Sequence, residues 1–202
     1  VDGLVGSEMC IRDSLTTGEI TIGKDLVIDA TNLDSIIIDG NASDRIFRVD
    51  VGKTVTMDGL ILQNGSVSLQ IGGGLLNQGT TTLRNCMIRN CSTQSNGGGV
   101  ASYFGQKLTL IGCTVYGNSA GSDGGGIYAD DSLTLVNCTV NSNTSPTNGG
   151  GIYSTNSAVS IASSTIAYND AQQGGGFYWS GGGSQSTTVS YTHLRAHETI
   201  NH

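Results

Sequence analysis

Gly149-Gly150-Gly151-Ile152-Tyr153-Ser154 is one of several places where a glycine triplet leads into an apolar pair. The triplet recurs at Gly72–Gly74, Gly97–Gly99, Gly124–Gly126, Gly149–Gly151 and Gly174–Gly176, at intervals of 25, 27, 25 and 25 residues. A period in that range marks stacked units, each too small to bury its own apolar face.

Working outward from the triplet, the copy from Leu133 to Gly151 reads as three short strands. Leu133 and Leu135 alternate with Thr134, a strand period. Asn137 interrupts, Cys138 and Val140 alternate with Thr139, and a polar loop from Asn143 runs to Asn148. The triplet then opens the strand of Ile152 and Tyr153. Leu108, Leu110, Cys113 and Val115 fill the same slots one copy earlier, and Val159, Ile161, Ser164 and Ile166 one copy later. Leu83, Cys86 and Ile88 match as well, and Val55, Met57, Leu60 and Leu62 match upstream. About 25 residues with three strands form one coil of an all-β solenoid, in which each strand pairs in parallel with its counterpart about 4.8 Å along the axis.

Equivalent side chains then stack. Two inward ladders follow, Leu60/Cys86/Cys113/Cys138/Ser164 and Leu62/Ile88/Val115/Val140/Ile166. Cys and Ser suit a narrow interior corner. A third ladder, Asn118/Asn143/Asn169, falls at a bend, where Asn tolerates left-handed backbone and its amide can bond along the stack. Cys91 shares that slot and is expected nearer solvent. Cys86, Cys113 and Cys138 point the same way from adjacent strands, a poor fit to disulfide geometry, and read as buried free thiols. Two extra residues around Tyr103-Phe104 predict a bulging loop.

The units GGGIYADDSLTLVNCTVNSNTS (124–145) and GGGIYSTNSAVSIASSTIAYN (149–169) resemble right-handed parallel β-helix repeats of bacterial secreted and surface proteins. They are similar to repeats of autotransporter-like and polymorphic outer-membrane proteins, within the pectin-lyase-like fold. The lead-in SIIIDGNASDRIFRVDVGKTVTMDGLILQNG (35–65) looks like the coils that precede such repeats. The resemblance covers residues 15–188. It implies a right-handed helix, and a secreted or cell-surface location on the bacterial exterior. The residues that carry it build the coil, so it implies little about activity.

The ends read differently. Residues 5–14, VGSEMCIRDS, and 189–199, VSYTHLRAHET, resemble translated sequencing-adapter sequence and lie outside the repeat. Residues 1–14 and 189–202 are therefore set aside, leaving 15–188 as a single β-helix domain, expected to be an internal piece of a longer protein. This removes all three histidines, including the helically spaced His193 and His197 beside Glu198. With no CxxC either, neither a metal nor a cofactor is expected.

Composition narrows the function classes. The chain has 202 residues, 31 of them Gly and one Pro, and a net charge of −7. The glycines are periodic among Leu, Val, Ile and Thr, which separates the chain from low-complexity disorder. The acidic balance disfavours nucleic-acid binding, because a phosphate backbone needs a basic face. No apolar run approaches the ~20 residues of a membrane span.

Three groups carry possible chemistry. Tyr128, Tyr153 and Tyr178 share one outward slot with Leu76 and Ala101, and would form an exposed aromatic strip. Such a strip is either a platform for sugar rings or a cross-strand ladder that stabilises the sheet. Asp123, Asp130 and Asp131 surround one triplet and read as a solvated loop rather than a calcium site. Arg84 and Arg89 flank Cys86, with no carboxylate expected at the neighbouring coil slots. The pattern favours a non-catalytic structural or interaction fragment, adhesin- or passenger-like, with a polysaccharide or a host or cell-surface ligand as partner. The alternative is a polysaccharide lyase or glycoside hydrolase of the same fold, which would need a base or a pair of carboxylates suitably spaced.

The inward placement of the Cys slot has a direct consequence. Cys138→Asp should destabilise by about 3 kcal/mol or more, because a carboxylate has no partner in a narrow apolar corner. A chemical denaturation midpoint equal to that of the unchanged protein would refute the placement.

Overall fold

A computed structural model describes residues 10–16, 18–32, 35–103, 106–155, 158–181, 188–193 and 200–201. Every strand pair in them is parallel, joined one coil to the next. The architecture is the all-β solenoid the period predicts.

The coils build three sheets. The largest has 13 strands and covers two flanks. One flank runs Cys10–Ser14, Ser35–Asp39, Leu60–Gln63, Met87–Arg89, Thr114–Tyr116, Thr139–Asn141. The other runs Leu26–Asp29, Thr54–Asp58, Thr80–Arg84, Leu108–Ile111, Leu133–Val136. They are one sheet because Val159–Ala167 continues unbroken through the bend and pairs with both flanks. The second sheet has eight strands and follows the glycine triplets, among them Leu75–Asn77, Val100–Ser102, Ile127–Ala129, Ile152–Ser154 and Phe177–Trp179. The third sheet was not anticipated. It holds the two-residue strands Ser66–Val67, Ser92–Thr93 and Ser119–Ala120, extended by single bridges at Thr144 and Asp170. Strands this short leave no period for a sequence reading to find.

The core is the stacked inner face of all three sheets. Leu60, Cys86, Cys113, Cys138 and Ser164 are each at most 2% exposed, and the registers on either side place them in one column. Leu62, Ile88, Val115, Val140 and Ile166 form the next column, all fully buried. The four described thiols are free and buried. The Ser164 hydroxyl accepts from the Cys138 backbone N–H at 3.0 Å and donates to Ala162 O at 2.8 Å. A hydroxyl thus replaces the thiol without leaving a polar group unpaired.

The Asn column is more fully bonded than expected. Asn118 Nδ2 donates to Asn143 Oδ1 at 2.9 Å, and Asn143 Nδ2 to Asn169 Oδ1 at 2.9 Å. Each amide also donates to a backbone carbonyl, of Ile88, Val115 and Val140 in turn. Each Oδ1 accepts from the backbone N–H one coil earlier, at Cys91, Asn118 and Asn143, and for Asn143 and Asn169 this is a second bond. The three are buried inside the helix. Left-handed backbone is not why Asn sits there. The positive φ falls one residue earlier, at Asn90, Gly117, Ser142 and Tyr168. That residue turns the chain so that the next side chain points inward. Cys91 follows suit: it is 1% exposed, in the Asn slot but not nearer solvent.

The glycine triplets answer two separate demands. The first glycine of each has φ between +58° and +73°, a region costly for a side chain. The second has no room: a Cβ on Gly125 would sit 2.4 Å from both Gly150 O and Thr144 O.

The irregular N-terminal coils keep the register. Ile20 and Ile22, then Leu26 and Ile28, alternate as strands should, and Ile36, Ile37 and Ile38 are an apolar run before a turn; Ile20–Ile22, Leu26–Asp29 and Ser35–Asp39 are strands. The alternation of Phe47, Val49 and Val51 suggests a strand over all three, but the strand Phe47–Val49 stops short, and Val51 lies in a turn, 61% exposed. The extra residues after Ser102 are visible in the pairing: five positions separate Ser102 from Leu108, against three between Ala129 and Leu133. Phe104 itself lies outside the described residues. So do His197, Glu198 and His202, while the backbone of Thr188–His193 pairs with Val159–Ala167.

Asn143→Ala removes one partner from each of two amide–amide bonds and leaves the Asn118 backbone N–H and one of its amide protons unpaired in the interior. A loss of about 2–4 kcal/mol is expected in urea unfolding. A loss under ~1 kcal/mol would show that the column is not bonded as described.

Candidate functional site

The sheet behind the glycine triplets is apolar on both faces, because Leu76, Ala101 and Tyr128 form a second, outer cluster. The register puts Arg48, Leu76, Ala101, Tyr128, Tyr153 and Tyr178 in one outward column. The three tyrosines named from the sequence therefore come together. Their centroids are 5.3 Å apart for Tyr128–Tyr153 and 5.5 Å for Tyr153–Tyr178, with interplanar angles of 11° and 4°.

Two features were not legible. Tyr103, from the loop with extra residues, stacks on Tyr128 at 6.2 Å and occupies the space that Ala101 leaves. The row thus has four rings. Nor is it an exposed strip throughout: Tyr128 is 8% exposed, and Tyr153 and Tyr178 are half-buried. Coil spacing close to ring spacing makes neighbouring rings cover one another's faces. The row therefore turns edges and hydroxyls outward rather than open ring faces. Burial, then Asp130, with smaller effects from Tyr103, Tyr153 and Asp123, pushes the Tyr128 hydroxyl up, so it stays a donor at neutral pH.

The acidic residues beside the row are occupied. Asp123 Oδ1 accepts from Thr147 Oγ1 at 2.7 Å and from Asn148 Nδ2 at 2.8 Å, tying one loop to the next coil. Asp130 accepts from Thr155 Oγ1 in the same way. Among the described residues no group of three or more His, Cys, Asp or Glu is arranged to hold a metal ion.

The polar centre that the sequence hid lies at the other end. Arg45 is fully buried, at the position where later coils carry the middle glycine of the triplet. Its Nε donates to Gly72 O at 2.8 Å, and one terminal nitrogen donates to Gln70 Oε1 and Ile71 O, each at 2.9 Å. The other terminal nitrogen pairs with Glu19, which also pairs with Arg48 at 3.0 Å. Burial lowers the Arg45 pKa and Glu19 opposes that shift. A lone Arg before the apolar pair Ile46-Phe47, in a slot reserved elsewhere for glycine, is the signal that could have found it.

A second polar line crosses the coils. Asp39 is buried and accepts from Gln63 Nε2 at 2.8 Å, while Gln63 Oε1 accepts from Arg89 at 2.7 and 3.0 Å. Arg84 departs from the sequence expectation, since Asp58 stands beside it in register. Asp58 accepts from Asn85 Nδ2 at 2.9 Å.

The right-handed β-helix region family matches residues 22–192. No curated protein and no solved structure matches the chain. No helix of the described residues is long and apolar enough to cross a membrane.

Burial pushes the Cys91 thiol up to about 12 from an ordinary value of 9.0. The unfolded thiol ionises first, so this contribution is whole below pH 9 and is lost as pH rises toward 12. Cys91→Ala should therefore flatten the alkaline fall in unfolding free energy over that window. Parallel curves for the two proteins would contradict it.

Proposed function

Because the chain belongs to the right-handed β-helix family, we propose that it is a non-catalytic structural and interaction segment of a bacterial secreted or cell-surface protein, adhesin- or passenger-like. Its partner is a polysaccharide or another ligand on a host or cell surface.

One observation carries this reading: the polar side chains that could do chemistry are engaged in joining coils. Asp39 is held by Gln63 and Asn64, Asp123 by Thr147 and Asn148, Asp130 by Thr155, and Arg45 by Glu19, Gln70 and two carbonyls. A hydrolase or lyase needs such groups free to meet substrate and to change protonation. A scaffold that presents a long side needs them fixed. The tyrosine row fits the same use, as a line of phenol side chains, Tyr128 buried and Tyr153 and Tyr178 half-buried, beside Asp123 and Asp130. It offers hydrogen bonds to a hydroxyl-rich partner along the axis.

The purified protein is incubated with a panel of neutral and acidic polysaccharides, and both retention and released reducing or unsaturated ends are measured. Retention without product is expected, weakened severalfold by Tyr153→Ala. Product above background, abolished by changing one carboxylate or arginine, would establish the enzyme alternative instead.

A further inference from the structure

An open groove of 310 Å³ lies between residues 42–44 and 66–70, outside the tyrosine row. The loop that forms one wall is longer than its equivalent one coil later: eight residues separate Ser66 from Leu75, against seven between Ser92 and Val100. The added length lifts Leu69 out to 89% exposure. The wall is nevertheless pinned. Arg45 donates to Gln70, Ile71 and Gly72 from below, and Thr93 Oγ1 donates to Gln70 O.

The polar groups facing this groove have spare capacity. Ser66 Oγ accepts from Ser92 at 3.1 Å, which leaves its own proton to donate. Gln70 Oε1 is taken by Arg45, which leaves Nε2 to donate. Asp44 Oδ1 accepts from the Arg45 N–H at 2.8 Å, whereas Oδ2 has no hydrogen-bond partner among the described residues. Ser68 has none there either. The groove therefore combines hydroxyl and amide donors, one carboxylate acceptor and an uncovered aliphatic side chain. Its size falls at the lower end of small-ligand sites.

We propose that this groove binds a single neutral sugar unit of a glycan, its C–H face on Leu69 and its hydroxyls shared among Asp44, Ser66, Ser68 and Gln70. The occupant must be amphipathic, since Leu69 is uncovered and the surrounding atoms are polar. It must not be anionic, since the lining carries Asp44 and no Lys or Arg. Arg45 lies beneath with its charge engaged by Glu19. Uronates are thereby disfavoured. The proposal rests on the reading of the chain as an interaction protein, but not on the tyrosine row.

The test is a backbone-amide NMR titration of the whole chain with methyl glucoside, methyl galactoside, methyl mannoside and methyl glucuronide. At least one neutral glycoside should shift Ser43, Asp44 and Ser66–Gln70 saturably, and the glucuronide should bind at least tenfold more weakly. Leu69→Ala, at an exposed position, should weaken binding about tenfold with an unchanged spectrum elsewhere. No saturable shift in the groove with any neutral glycoside, equal binding of the glucuronide, or an unaffected Leu69→Ala would each overturn the proposal. Retention of polysaccharide with a silent groove sinks this site alone and leaves the interaction reading standing. Product release with groove shifts does the reverse.

Discussion

The structure depends on vertical register between coils. Apart from turn bonds such as Ser43 N–H to Gly40 O, a single coil neither buries its apolar side chains nor satisfies its backbone, and both needs are met by the coil next to it. The Asn118–Asn143–Asn169 column shows how tightly this is set. The amide oxygens of Asn143 and Asn169 each accept twice, and the amide nitrogens of Asn118 and Asn143 each donate twice, always across to a neighbouring coil. A slip of one residue would point these amides outward and the apolar columns with them. Columns of Leu, Ile and Val supply most of the stabilising burial, while the buried amides exclude other registers.

Much of this was legible in the sequence because the period makes the same statement several times. A single Cys138 says little. Cys86, Cys113 and Cys138 at equal spacing, with Leu60 and Ser164 filling the slot at either side, say that the position is inward and narrow. What was not legible comes from places where the repeat lapses or where the meaning of a slot depends on its neighbour. Cys91 was expected nearer solvent, yet its inward direction follows from the turn at Asn90, not from its own polarity. The left-handed backbone at this bend belongs to the residue before each Asn, and nothing in the Asn itself reveals that. Tyr103 lies off the repeat, and only folding shows that its ring fills the space beside Ala101. Arg45 and Asp39 occur once each, so no period announces that they are buried.

The candidate surfaces follow the same division. Where the repeat is regular, outward side chains pack on their equivalents, and the tyrosine row spends its ring faces on itself. Where a loop departs in length, as between Ser66 and Leu75, side chains are released from the column. Leu69 and Ser68 are free to meet something else because their coil does not match the next one there. In a solenoid, regularity builds the support and irregularity provides recognition.

The corner between the two flanks is turned in the same way coil after coil. Asn85, Gly112, Asn137 and Ser163 all take positive φ there, although Val159–Ala167 runs as one strand through it. A single residue per coil therefore sets the angle at which the flanks meet. A β-branched residue at any of these four corners would strain that angle, because it rarely adopts left-handed backbone.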